Sequence, residues 1–215
     1  MASNFQKYLK KTCCLSEGGN FLDNRIKNVG VLALQGAFRE HINSIKKCGA
    51  NAVEIKFPDQ LKEVEGLIIP GGESTTINKL MNKYDFKLYL DEFYKSGKAV
   101  YGTCAGLILI AKKVVDEDFG LGYIDVEVER NSYGRQIDSF EEYITLGFDE
   151  NKKFKAIFIR APRIVSTGSG VDILSKIDDN VILAKQNNVL VSTFHPELQE
   201  DTRIHEYFLT MIGKA

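Results

Sequence analysis

What this chain lacks narrows its function first. Its 28 Lys and Arg nearly balance 29 Asp and Glu, for a formal net charge of -1. That removes the basic footprint expected of a nucleic-acid binder or of a protein held at an anionic membrane surface. No apolar run approaches the about 18 residues needed to cross a bilayer. The first twelve residues contain lysines but no hydrophobic signal core, so secretion is unsupported. There are only 4 cysteines, and the adjacent Cys13 and Cys14 form neither a disulfide framework nor a C-x-x-C ligand pair. A reducing cytoplasm suits that usage, and no zinc set or other metal site is implied. Repeats, low-complexity linkers and phosphate-binding loops of P-loop or Rossmann type are also absent. Histidine is scarce: His41, His195 and His205 are the whole supply.

What remains is enough for one sizeable core, with 44% hydrophobic residues in 215. Short apolar runs at 29–34, 52–55, 66–69, 98–101, 124–129, 155–159, 181–185 and 189–194 alternate with helical patterns. The helical patterns fall near 74–82, 86–96, 107–114 and 201–212, with another running through Ile42, Ile45 and Cys48 to Gly49. Such alternation implies an α/β fold with a largely parallel sheet covered on both faces. The turn at Gln186-Asn187-Asn188 adds antiparallel strands in the second half.

One segment carries the chemistry. The strand ending at Tyr101 runs into Gly102-Thr103-Cys104-Ala105-Gly106 and then into the apolar helical stretch. This is a nucleophile elbow built around sulfur, in which a tight strand-to-helix turn lifts a side chain above the sheet. The free N–H groups and positive end of the new helix would stabilise a thiolate. A small buried cysteine is the bland alternative, and the flanking glycines make it a poor account.

A thiolate needs a base and an orienter. His195 follows an apolar strand in Ser192-Thr193-Phe194-His195-Pro196-Glu197. An extended backbone before and through Pro196 would put the His195 and Glu197 side chains on the same side. Glu197 would then hold one imidazole nitrogen and leave the other for Cys104. His41 and His205 lie among charged residues in helical patterns and are expected to be solvated. A third element is Pro70-Gly71-Gly72-Glu73-Ser74, a buried strand breaking into a Gly-Gly turn before a helix. Its backbone N–H groups, with the Ala105 amide, would make an oxyanion site.

These three motifs together resemble the class I (triad) glutamine amidotransferases. Narrower segments resemble the glutaminase subunits of pyridoxal 5′-phosphate synthase. They are Leu32-Ala33-Leu34-Gln35-Gly36 with Arg39-Glu40-His41, Gly71-Gly72-Glu73-Ser74-Thr75-Thr76, Glu129-Arg130-Asn131-Ser132-Tyr133-Gly134-Arg135-Gln136, Phe158-Ile159-Arg160-Ala161-Pro162 and His195-Pro196-Glu197-Leu198. The resemblance covers about residues 29–215 and implies a single-domain three-layer sandwich with a mostly parallel central sheet. Residues 1–28 stand outside it as an extension of unassigned role.

The resemblance also implies a triad of Cys104, His195 and Glu197. It implies glutamine binding by Gly71, Gly72, Glu73, Ser74, Ala105, Arg130, Ile159 and Arg160. From spacing alone Arg130 and Arg160 read as ordinary surface ion pairs. The implied reaction is hydrolysis of L-glutamine to glutamate and ammonia without a cofactor. The implied partner is a separate (β/α)₈ synthase subunit that consumes the ammonia to build pyridoxal 5′-phosphate. A glutaminase serving another synthase, such as the histidine-pathway cyclase, or a catalytically silent regulator, stays open at this point.

Overall fold

The computed structural model describes residues 26–130 and 139–213. Cys13, Cys14, most of the N-terminal extension and the segment from Asn131 to Gln136 lie outside those residues. The first strands are β1 (Asn28–Leu32), β2 (Asn51–Ile55), β3 (Gly66–Ile69) and β4 (Ala99–Thr103). Helix α1 (Phe38–Lys47) connects β1 to β2; α2 (Ser74–Lys83) and α3 (Phe86–Lys95) connect β3 to β4. After the elbow come α4 (Ala105–Ile110), β5 (Ala111–Val114) and β6 (Ile124–Glu129). The second half holds β7 (Ser139–Leu146), β8 (Asp149–Ile159), β9 (Arg163–Thr167), β10 (Asp172–Ile177), β11 (Asn180–Gln186) and β12 (Val189–Ser192), closed by α5 (Arg203–Met211).

The main sheet has the order β2-β1-β3-β4-β12-β11-β9-β6-β5, with β10 on the side of β11. From β2 to β12 every pairing is parallel. Beyond β12 the pairings of β11, β9 and β6 are antiparallel. Alternation along the strands divides the core in two. Val29, Val31, Ile68, Ala99, Tyr101 and Leu190 face α1 and α5, where Ile42, Ile45, Ile204 and Phe208 cover them. Leu32, Leu67, Ile69, Val100 and Val191 face the other way, onto Ile77, Met81, Phe86, Leu90 and Phe93 of α2 and α3. Successive residues of a strand point to opposite faces, so a sheet covered on both faces reads as a continuous apolar run. The β7–β8 hairpin forms its own sheet and adds Ile144, Leu146, Phe154 and Phe158 to the α1/α5 side.

Three expectations need correction. The helix after the elbow stops at Ile110 instead of Val114, and 111–114 is a strand. The carbonyls that would carry the helix on are taken elsewhere: Leu109, Ile110 and Ala111 accept from the amides of Leu121, Tyr123 and Gly122. The extended segment expected through His195 and Glu197 is a 3₁₀ turn, Pro196–Leu198, with proline at its first position. His41 and His205 are not solvated; both are 0% exposed.

Candidate active site

The elbow is a strained turn. Cys104 has φ 48 and ψ -102, a left-handed region costly for a residue with a side chain. Its amide donates to the Ser192 carbonyl at 2.9 Å, so the turn is pinned to the neighbouring strand. A Cβ on Gly106 would lie 1.9 Å from the Ile69 carbonyl oxygen, so only glycine lets α4 start this close to β3. Cys104 is the cap residue of α4, and the first amides of that helix have no intrahelical acceptor. The thiol is 6% exposed, with the Ile159 carbonyl 4.0 Å from its sulfur.

His195 hangs from the end of β12 and is held from the antiparallel side. Its amide donates to the Ile157 carbonyl at 2.8 Å, and the preceding Phe194 packs against Phe158 and Phe154. The imidazole Nδ1 lies 2.7 Å from Glu197 Oε1, and Cys104 is near enough to act on the charge of the ring. Burial opposes charge on this ring. The neighbouring Cys104 and Glu197 overcome it, and the pKa is pushed up to about 10. Burial likewise opposes charge on Glu197, yet His41 and His195 beside it hold its pKa below the usual carboxylate value. The pairing comes from the 3₁₀ turn folding Glu197 back under the ring, not from strand alternation.

The Gly71–Gly72 loop borders the same ring. A Cβ on Gly71 would come within 2.4 Å of His195 Cε1, so a side chain there would displace the imidazole. The Gly71 amide donates to Thr103 Oγ1 at 2.9 Å, and its carbonyl accepts from Ala37 at 3.0 Å. In a trans peptide N–H and C=O point oppositely, so the Gly72 amide is directed away from Ala37. Gln35 Oε1 accepts from the Glu73 amide at 2.8 Å and steadies the loop where α2 begins.

A cleft of about 540 Å³ opens above these groups. Gly72, Glu73, Ser74, Cys104, Ala105, Arg130, Ile159, Arg160 and His195 all line it; Gly71 and Glu197 sit beneath. Arg130 pairs with Glu117 and, at 3.5 Å, with Glu73, so in this structure its guanidinium already holds carboxylates. Arg160 takes a left-handed backbone, φ 43, as β8 leaves the hairpin.

Sequence reasoning passed over Gln35, Thr103, His41 and His205 as parts of the site. A signal for the histidines existed. His41 follows Phe38 by three residues and precedes Ile45 by four, and His205 precedes Phe208 by three. Those spacings place both rings on the buried faces of their helices.

An α/β sheet that offers a thiol, an imidazole and a glycine-lined turn to one cleft is the frame of the triad-type amidotransferases. The chain belongs to the SNO glutamine amidotransferase family, whose sequence pattern matches residues 31–214. It is 52% identical over 188 residues to the pyridoxal 5′-phosphate synthase subunit PdxT of Thermosipho africanus, covering 86% of this chain and 99% of that one. The PdxT of Bacillus licheniformis is 51% identical over 187 residues, covering 86% and 95%. A crystal structure of a glutamine amidotransferase superposes with a TM-score of 0.80 at 45% identity, over 85% of this chain and 97% of the other. PurLQS from Thermotoga maritima, at 15% identity and a TM-score of 0.65 over 86% of this chain and 99% of that one, shares the fold alone.

Proposed function

We propose that this chain hydrolyses L-glutamine as the glutaminase subunit of a pyridoxal 5′-phosphate synthase and passes the ammonia to a (β/α)₈ synthase subunit. The observation that carries the reading is that Cys104 and the buried His195–Glu197 pair meet at one cleft. In this reading residues 29–215 form the glutaminase domain and a reducing cytoplasm keeps the thiol free.

The thiolate of Cys104 attacks the side-chain carboxamide carbon of glutamine. Amides of the Gly71–Gly72 loop and Ala105 stabilise the oxyanion. His195, charged beside the thiolate, protonates the departing ammonia and leaves a γ-glutamyl thioester. The neutral ring then takes a proton from water, whose attack releases glutamate and restores the thiolate. Glu197 fixes the tautomer and supports the imidazolium. Gly72, Glu73 and Ser74 line one wall for the substrate. Ile159, Arg160 and Arg130 line the other, where a guanidinium can take the α-carboxylate once it leaves its present partners.

The test is glutamate release from glutamine with and without the synthase subunit. Hydrolysis that requires Cys104 and feeds pyridoxal 5′-phosphate formation is the expected result. Absence of hydrolysis in both conditions would overturn the reading.

A further inference from the structure

Beneath the triad lies a second layer of buried polar groups that the reaction as written does not use. His41 Nε2 is 3.4 Å from Glu197 Oε2 and 3.1 Å from Thr103 Oγ1. His41 Nδ1 is 3.0 Å from His205 Nε2. Tyr101 packs its ring edge-on to both imidazoles, with centroids 6.3 Å away. Thr103 Oγ1 in turn accepts the Gly71 amide. His41 therefore touches the carboxylate of the triad on one side and the support of the glycine loop on the other.

The proton positions follow from what each atom can accept. In one arrangement both histidines carry their proton on Nδ1. His205 Nδ1, which has no partner among the described residues, would then be a buried N–H without an acceptor. Glu197 Oε2, also unpartnered by strict hydrogen-bond geometry, would face a bare lone pair on His41. In the other arrangement both protons sit on Nε2. His205 donates to His41 Nδ1, and His41 donates toward Glu197 Oε2 and Thr103. Only a bare nitrogen on His205 stays unmatched, which costs less than an orphaned donor. The second arrangement leaves neither ring with an orphaned N–H, so the chain runs in one direction from His205 through His41 to Glu197.

We propose that His41 is a positioning residue for glutamine hydrolysis: its Nε2–H holds the second oxygen of Glu197 and, through Thr103, ties the triad to the Gly71 loop. The proposal rests on the triad reading above. His195 Nδ1 hydrogen-bonds one carboxylate oxygen, and His41 Nε2 stands 3.4 Å from the other while it also meets Thr103 Oγ1, so Glu197 lies between two imidazoles. That placement fixes the carboxylate plane, and with it the direction in which His195 points at Cys104. The Thr103 branch makes the position of the glycine loop depend on the same ring. A displacement of about 1 Å in such a constellation costs on the order of 100-fold in rate.

Two side chains separate positioning from simple filling of the core. The amide nitrogen of glutamine reaches the place of histidine Nε2, whereas that of asparagine reaches only the place of Nδ1. His41→Gln can still donate to Glu197; His41→Asn can satisfy His205 but not Glu197. The expected result is a fall in kcat of about 10- to 100-fold for His41→Asn with little change in glutamine KM, and substantial recovery in His41→Gln. Equal kcat in wild type and His41→Asn would overturn the proposal, as would equal losses in two variants of matched thermal stability.

A second measurement does not depend on either variant folding. Imidazole ¹⁵N shifts of the full chain, which has 3 histidines, report which ring nitrogen is protonated. Nε2–H on both His41 and His205 is expected; Nδ1–H on His41 would overturn the direction of the chain. If wild type releases no glutamate while the tautomers are as stated, the glutaminase reading has failed and the hydrogen-bond chain has not.

Discussion

The two halves of the sheet differ in what they bring to the cleft. The parallel half, β2 to β12, ends its strands at the groups proposed to react. Cys104 follows β4, the glycine loop follows β3 and His195 lies three residues beyond β12. The antiparallel half of the main sheet, together with the separate β7–β8 hairpin, supplies walls and clamps. Arg130 follows β6, Ile159 and Arg160 end β8, and the Ile157 carbonyl holds the His195 amide. In open α/β sheets the carboxyl ends of parallel strands converge on one edge, where groups from different strands can share a substrate. An antiparallel half has no such common edge, so it contributes through hairpin ends and backbone contacts. Damage to the parallel half is therefore expected to abolish turnover, and damage to the antiparallel half to weaken substrate binding.

The largest expected effect is at Cys104. Cys104→Ala should reduce glutamine hydrolysis by about 10⁴-fold or more, as loss of a triad nucleophile does. Its melting temperature should stay close to wild type, because one small thiol is removed. Synthase activity with an added ammonium salt should persist. Retained hydrolysis by a clean Cys104→Ala preparation would remove the parallel half from the chemistry. Gly106→Ala attacks the same half through packing. The added methyl meets the Ile69 carbonyl oxygen at 1.9 Å, a backbone atom that cannot swing aside, so a loss of about 3 kcal/mol or more is expected in urea denaturation.

His195 and Glu197 should differ in severity. His195→Ala removes both acid and base and should approach the Cys104 defect. Glu197→Gln keeps a hydrogen-bonding side chain under the ring and should retain measurable turnover. Equal kcat in Glu197→Gln and wild type would mean that the ring is oriented by other contacts. Smaller still are the wall residues. Arg160→Ala should raise glutamine KM about 10- to 100-fold while kcat changes little, the loss of one charge-assisted contact to a carboxylate. A fall in kcat with unchanged KM would place Arg160 with the parallel half and break the comparison.

The same division governs how much was legible in the sequence. The parallel strands are buried on both faces and read as apolar runs; the ends of 66–69 and 98–101 set the elbow and the glycine loop directly. Strands β7, β9 and β10 leave most of their residues at least partly exposed and carry charges, so no apolar run announces them. Of the separate hairpin only the apolar run 155–159 is legible, the end of β8 whose Ile157 carbonyl clamps His195; its partner β7 is not. The family resemblance supplied Arg130, Ile159 and Arg160; spacing alone reads the two arginines as ordinary surface pairs. The His195–Glu197 pairing was legible as chemistry but not as backbone, because the 3₁₀ turn at Pro196 closes by contacts that a two-residue spacing does not encode. His41 and His205 have polar neighbours in the sequence, but helical phase decides burial and turns both rings into the core.

The last prediction separates two kinds of histidine by pH. His195 is held up to about 10, above the about 6.5 of an unfolded histidine. The folded state binds its proton more tightly, so this stability is complete below about pH 6.5 and drains away as pH rises toward 10. His205 runs the other way. Burial foremost, and then the neighbouring His41, lower its pKa to about 3. Between about pH 6.5 and 3 the unfolded chain binds the extra proton, so stability present above 6.5 is lost as pH falls. His41 is lowered too, chiefly by burial, and adds to the same acid limb despite the opposing pull of Glu197. Urea midpoints should therefore fall on both sides of neutrality for different residues. His205→Gln, which cannot titrate but can still donate to His41, should flatten the acid limb and leave the alkaline one as it was. An unchanged acid limb in His205→Gln would show that the acid instability comes from carboxylates elsewhere and not from the buried pair.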